Sequence, residues 1–236
     1  MRTQTIEVPT PDGPMPMYEA IPAEARAAAI VIQEAYGCTD YIERVARDLA
    51  EAGYYAVAPH LFHRSETTIV EYGDIKTAVE MIVTLDDDKE LMDVDAAIAH
   101  LRSAGFEGPR IGIVGFCMGG RVTFLVSARR AIGAGVGFYG GAIVGGWPPG
   151  FAALEGEAPS LQTPWLGLFG DMDVSIPVAQ VEQLREALKS APVETEIVRY
   201  PDAGHGFHSE PRPESYHAGA AADAWRRTLD WFGRHL

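Results

Sequence analysis

The sequence predicts an α/β protein with a mostly parallel, doubly wound sheet, helices on both faces and an antiparallel hairpin at the N-terminus. Three observations carry that expectation. From residue 27 onward, short apolar runs of strand length alternate with amphipathic helical patterns, the order of a parallel sheet built with crossover helices. The apolar runs are continuous, as strands buried on both faces are. Residues 3–8 and 15–21 flank Pro11-Asp12-Gly13, a turn signal between two strands. With 236 residues, 47% of them hydrophobic, the chain is read as one domain, residues 1–236, with a full core.

Each element has its own signal. Residues 27–33 (AAAIVIQ) form a central strand ending in Glu34-Ala35-Tyr36-Gly37. Asp40 with Glu43 reads as a capping box, and Ile42, Val45, Ala46 and Leu49 give one helical face up to Gly53. Residues 54–58 are a strand stopped by Pro59, and residues 69–83 are weakly helical. Asp86-Asp87-Asp88 is a loop and helix start, where negative charge is favourable. Leu91, Val94, Ile98 and Leu101 then mark a helix closed by Gly105. Ile111, Ile113 and Val114 form a strand, and a helix with Val122, Leu125 and Val126 inward follows from Arg121. Residues 134–139 are a glycine-rich strand; residues 145–160, rich in proline and glycine, are a surface excursion. Residues 165–169 and 193–200 are strands on either side of a helix carrying Val181, Leu184 and Leu188. Ala222, Trp225, Leu229, Phe232 and Leu236 define a terminal helix by their spacing.

Composition narrows the function. A formal net charge of −14 argues against nucleic acid or an anionic membrane as partner. Two cysteines, Cys38 and Cys117, are too few for a disulfide scaffold and fit a reducing compartment. No stretch reaches the length of a membrane span, and the opening residues lack the apolar core of a secretion signal. The expectation is a cytoplasmic protein, a monomer or small homo-oligomer, working on a small molecule. His60 and His63 have the look of a metal pair, but no third ligand accompanies them. No metal and no cofactor are expected.

The chemistry concentrates at Gly115-Phe116-Cys117-Met118-Gly119, a G-x-S-x-G nucleophile elbow with cysteine in place of serine. Glycines two positions either side of the tip remove side chains that would collide with the neighbouring strand and helix. A sulfur there stands at the positive end of a helix, which favours the thiolate. The plainer reading, a small buried hydrophobe, does not explain both glycines. In a parallel sheet, ligands gather beyond the carboxyl ends of the strands. Four loops at that rim carry useful groups: Glu34, Cys117, Asp173 and His205. Asp171 and Asp173 are both candidates to orient a histidine, and Asp173 is favoured because it lies further into its loop. Gly204 and Gly206 let His205 approach a nucleophile closely. The order nucleophile, acid, histidine is that of an α/β-hydrolase.

With these residues in view, the chain resembles the dienelactone hydrolase family, the carboxymethylenebutenolidase-like members of the α/β-hydrolase fold. The likeness rests on Gln33-Glu34-Ala35-Tyr36-Gly37, Gly53-Tyr54-Tyr55, the cysteine elbow with Gly120, Phe138-Tyr139-Gly140, Gly170-x-x-Asp173 and Ala203-Gly204-His205. It implies a triad of Cys117, His205 and Asp173, and an active-site glutamate, Glu34, that holds the resting thiol. The backbone N–H groups of Met118 and Ala35 are the implied oxyanion donors, and hydrolysis of a lactone or small ester through a thioester is the implied reaction. The chain departs from the family where two arginines meet a substrate carboxylate: one position is Ser209, and the other falls near Ile75, beside Lys76. Lys76, Arg64 and Arg212 are the candidates to replace them. Tyr36, Trp147, Phe207 and Lys76 are the expected pocket residues; His208 and Cys38 are read as structural or at most pocket-lining. The alternatives are a general carboxylesterase on the same triad, a thiol redox protein using Cys117 and Cys38, and a non-catalytic small-molecule binder.

Overall fold

The computed structural model describes residues 1–147 and 150–236; part of the expected 145–160 excursion, Pro148 and Pro149, lies outside them. Its one sheet has eight strands in the order β1-β2-β4-β3-β5-β6-β7-β8. β1 (Arg2–Thr10) and β2 (Gly13–Ile21) form the hairpin, turning at Pro11-Asp12, and β2 pairs antiparallel with β4 (Tyr54–Pro59). From there β3 (Ala27–Ile32), β5 (Ile111–Phe116), β6 (Ala134–Phe138), β7 (Trp165–Gly170) and β8 (Thr195–Tyr200) continue in parallel. Every residue of β3 to β7 is buried, because helices cover both faces; this is why those segments read as unbroken apolar runs. Among the described residues no helix is long and apolar enough to cross a membrane.

The topology decides where a site can form. The chain runs outward from β3 to β4 through α1 (Asp40–Glu51), then crosses back over β3 to β5 through α3 (Asp87–Ser103). Right-handed crossovers put helices on opposite faces when the direction of travel reverses. Hence α1 and the terminal α6 (Ala218–His235) share one face. α3, α4 (Met118–Arg129) and α5 (Val178–Leu188) share the other. The reversal leaves a crevice between the carboxyl ends of β3 and β5, the position where such sheets bind ligands. Glu34 and Cys117 are the residues that leave those two strands.

Three local expectations are corrected. Asp40 does not cap α1: Thr39 is the N-cap and Asp40 the first helical residue, and the Thr39 hydroxyl turns to Tyr72, 3.1 Å away. The strand before Gly140 ends at Phe138, because Tyr139 has φ 38°, outside the extended region. On α6 the buried stripe is Ala220, Ala221, Ala224, Thr228, Trp231 and Phe232, while Ala222 is exposed. Alanines at the contact let that helix sit close to β6 and β7, with Trp225, Leu229 and Leu236 packed partly buried at its edge, so the contact is wider than the expected face and leaves out only Ala222. The acidic trio does work as expected: Asp86 caps α3, accepting a hydrogen bond from the Lys89 N–H at 2.9 Å.

Candidate active site

Cys117 sits between β5 and α4 with φ 55° and ψ −117°, a conformation that costs a non-glycine residue energy and persists only where the surroundings enforce it. They do so here from three sides. A Cβ on Gly115 would lie 2.1 Å from the Gly119 carbonyl oxygen, and one on Gly119 would lie 2.5 Å from the Gln33 oxygen. A Cβ on Gly120 would lie 2.5 Å from the Phe138 oxygen. The Cys117 N–H donates to that same Phe138 carbonyl at 3.0 Å, and Gly120 N–H donates to the Cys117 carbonyl at 2.9 Å. Behind the turn, the buried Arg121 donates to Asp87 at 2.6 Å and to the Ala152 carbonyl at 2.6 Å, fixing the first turn of α4. A Gly119→Ala substitution is therefore expected to destabilise the fold by about 3 kcal/mol or more, since a backbone carbonyl cannot move aside as a side chain would. A thermal melt within about a degree of wild type would contradict this packing.

The loop after β7 brings Asp173 to the same rim. Its Oδ1 accepts from the Ser175 N–H at 2.8 Å, the Ser175 hydroxyl at 2.6 Å and the Ile176 N–H at 3.2 Å. That leaves Oδ2 for His205, whose Nδ1 lies 2.6 Å away. Burial alone raises an acid's pKa, but the His205 and Ser175 hydrogen bonds and the His205 charge outweigh it, so Asp173 falls below its ordinary 3.8. Asp171, the other candidate, is engaged elsewhere, in a two-pronged pair with Arg199 at 2.7 Å. With Nδ1 committed, Nε2 of His205 is the nitrogen left to Cys117. Burial pulls the imidazole pKa down, but the charge on Cys117, hydrogen bonds to Asp173 and Cys117, and the Asp173 charge raise it to about 10.

Glu34 lies on the opposite side of Cys117. It is buried, and among the described residues neither carboxylate oxygen has a hydrogen-bond partner. Burial raises its pKa against the lowering effect of Arg212, Tyr72 and His205. The Arg212 guanidinium lies 3.9 Å from Glu34 Oε2 and 5.5 Å from the centre of the Tyr36 ring. Tyr72 meets Tyr36 edge-on at 4.8 Å. Glu34 thus faces Arg212. The N–H groups of Met118 and Ala35 have no acceptor among the described residues. Met118 opens α4, so its N–H is one of the donors a helix leaves free at its start.

Of the expected pocket residues, only Tyr36 joins this cluster. Lys76 extends into solvent beside Glu80 at 3.7 Å, because α2 (Ile75–Ile82) turns Ala78, Met81 and Ile82 inward instead. Phe207 is wholly buried against Tyr139, Tyr200 and Phe138, part of the core behind the His205 loop. Trp147 stacks on Phe151 at 6.1 Å. Arg64 is bound by Asp93 and Asp12. Arg212 alone of the three candidate bases reaches Glu34. His63 pairs with Asp93 at 3.2 Å, and among the described residues no group of three or more potential ligands is arranged to hold a metal. Cys38 is free and buried, its thiol pKa raised by that burial; His208 Nδ1 meets the Tyr41 hydroxyl at 2.8 Å. Ser175 and Tyr72 have no part in the sequence-based expectations, and Tyr139 enters them only within Phe138-Tyr139-Gly140, without a role. Of the three, Tyr139 alone carries a signal in the sequence, an aromatic residue between a buried strand and two glycines.

Comparison with known proteins follows the same lines. The sequence model described as "Dienelactone hydrolase family" matches residues 15–236. A protein of Methylorubrum extorquens named "Putative carboxymethylenebutenolidase" is 39% identical over 240 residues, spanning 98% of this chain and 80% of its own. One of the same name from Escherichia coli (strain K12) is 36% identical over 239 residues, 97% of this chain and 85% of its own. The crystal structure described as a "Putative Dienelactone Hydrolase from Klebsiella pneumoniae subsp. pneumoniae MGH 78578" superposes with a TM-score of 0.90 at 35% identity. That match covers 98% of both chains.

Proposed function

The chain belongs to the dienelactone hydrolase family, hydrolases of ester bonds, and from that premise we propose that it opens lactones or small esters with Cys117 as nucleophile, His205 as acid and base, and Asp173 as the group that orients His205. The observation that carries this reading is the 2.6 Å hydrogen bond by which Asp173 holds His205 at the same rim as the strained Cys117, at the switch point of the sheet. The sulfur attacks the carbonyl carbon as a thiolate, and the carbonyl electron pair moves to oxygen. The N–H groups of Met118 and Ala35 receive that oxyanion, an arrangement worth about 10²-fold or more in rate per donor. Collapse breaks the carbon–oxygen bond, and His205 gives its proton to the departing oxygen. A water deprotonated by His205 then cleaves the thioester, releasing the acid and restoring the thiolate.

Glu34 acts as the alternate partner of the thiol. It accepts the S–H hydrogen bond in the resting enzyme and turns to Arg212 when the thiolate forms, the arrangement in which the two lie 3.9 Å apart. Glu34→Gln keeps the shape and removes the charge. It is expected to change the iodoacetamide alkylation rate of Cys117 by about three-fold or more; an unchanged rate would remove this role. Arg212 also supplies the positive charge that a carboxylate-bearing substrate requires, a task for which Lys76, out in solvent, and Arg64, bound by Asp93 and Asp12, are not placed. A screen of aryl acetates, neutral lactones and carboxylated butenolides, with Cys117→Ala as control, tests the function itself. Turnover of none of them, or turnover that survives in the control, would refute it. Hydrolysis of aryl acetates without butenolides would favour a general carboxylesterase.

A further inference from the structure

The steps above leave the buried hydroxyl of Tyr139, at the site, without a task. Tyr139 follows β6 directly, with φ 38°, in the region that favours glycine and is strained for an aromatic residue. Hydrogen bonds on both sides hold it there: its own N–H donates to the Leu168 carbonyl at 2.7 Å, and the Phe138 carbonyl accepts from Cys117. The turn brings the ring against His205, 5.1 Å between ring centres, with Phe116 and Phe207 packed around it. Strain of this kind clusters where a side chain has to be aimed.

The hydroxyl is wholly buried and has no hydrogen-bond partner among the described residues. It nevertheless stands in the field of the site, since the charges of Glu34, Cys117 and Arg212 all act on it. Burial, then Glu34, raise its pKa well above 10, so it remains a proton donor throughout the working range. The Tyr41 hydroxyl, which meets His208 at 2.8 Å, also acts on it but lies beyond hydrogen-bond distance, and Glu34 is not its acceptor, because both carboxylate oxygens are themselves unpartnered. A buried O–H without an acceptor carries the full desolvation penalty of the group. An acceptor brought by the substrate relieves it.

We propose that Tyr139 is a further catalytic residue, whose hydroxyl donates a hydrogen bond to an oxygen of the scissile ester group when substrate is bound. This rests on the reading of Cys117 as nucleophile. The side chain then complements the N–H groups of Met118 and Ala35: β6 flanks the elbow strand on the side away from β3, so Tyr139 approaches from the His205 side and Ala35 from the other.

Tyr139→Phe removes the hydroxyl and little else. With 4-nitrophenyl acetate or a butenolide, kcat/KM is expected to fall about ten-fold or more, chiefly in kcat. The melting temperature should stay the same or rise, because an unsatisfied buried group has been removed. Alkylation of Cys117 by iodoacetamide, which forms no oxyanion, should stay within about two-fold of wild type. Turnover within about two-fold of wild type would overturn the proposal. A lowered melting temperature or failure to fold would do so too, by showing that the hydroxyl serves the fold. Alkylation falling in step with turnover would also do so, by showing that it acts on the thiol. Cys117→Ala, run alongside, separates the two readings. If it keeps full turnover, the nucleophile assignment fails and this proposal with it; if it is inactive, the Tyr139→Phe result bears on Tyr139 alone.

Discussion

Cys117→Ala should lower kcat/KM for the best lactone or ester substrate by about 10⁴-fold or more, since a nucleophile that acts as one unit with its base takes the whole covalent route with it. What remains is the acceleration that the oxyanion donors and binding supply to attack by water. Nothing in the fold opposes the change: alanine is smaller than cysteine, and the strained φ of 55° is imposed by the Gly115, Gly119 and Gly120 contacts and not by the sulfur. The melting temperature should therefore stay within a few degrees of wild type, so that loss of activity reports chemistry. Cys117→Ser is the sharper variant. It keeps the geometry, but a hydroxyl is far harder to ionise than a thiol, so a small residual rate is expected, below wild type by about 10²-fold or more. A serine variant as fast as wild type would mean that thiolate character contributes nothing.

The sequence carried the rim of the site well because each catalytic candidate is punctuated by glycine or follows a buried apolar run. Cys117 is framed by Gly115 and Gly119, where a Cβ would lie 2.1 Å and 2.5 Å from backbone oxygens, Asp173 follows Gly170, where it would lie 2.2 Å from one, and Gly206 after His205 has φ 78°. The parallel core was legible for the same reason, since strands buried on both faces admit few polar residues. The pocket wall was not. Whether a base such as Arg212 or Lys76 reaches the site depends on which way a loop or a short helix turns, and neither has a period that fixes its face. Arg212 arrives because the loop after His205 folds back over Tyr36. Lys76 leaves because the apolar residues of α2 outweigh it. On α6 the spacing of Trp225, Leu229, Phe232 and Leu236 marks residues that do pack on the core, while Ala220, Ala221 and Ala224, weak as hydrophobic markers, extend the contact beyond them.

The second large effect belongs to His205 and the acid behind it. His205→Ala removes both the base and the acid of the cycle, and the expected loss in kcat is of the same order as that of Cys117→Ala. Asp173→Asn tests the arrangement more finely. Asn presents an amide in place of the carboxylate that now receives the Nδ1 proton at 2.6 Å, so the ring takes the wrong tautomer and kcat should fall by about 10³–10⁴-fold. The pH dependence carries a sign that follows from the same contacts. His205 titrates near 10 in the folded protein against an ordinary 6.5, so the folded state holds that proton more tightly than the unfolded chain. Its contribution to stability is complete below pH 6.5 and is lost as pH rises toward 10. Asp173 is lowered, so its contribution is present above 3.8 and is lost as pH falls through its folded value. For catalysis, the departing oxygen needs the imidazolium proton, and kcat/KM should decline as pH passes about 10. Asp173→Asn withdraws one charge and one hydrogen bond that raise the imidazole pKa, so the alkaline limb of its residual activity should move to lower pH. A pH profile of kcat/KM for both proteins measures this; a limb that stays in place in Asp173→Asn would disconnect the carboxylate from the histidine's chemistry.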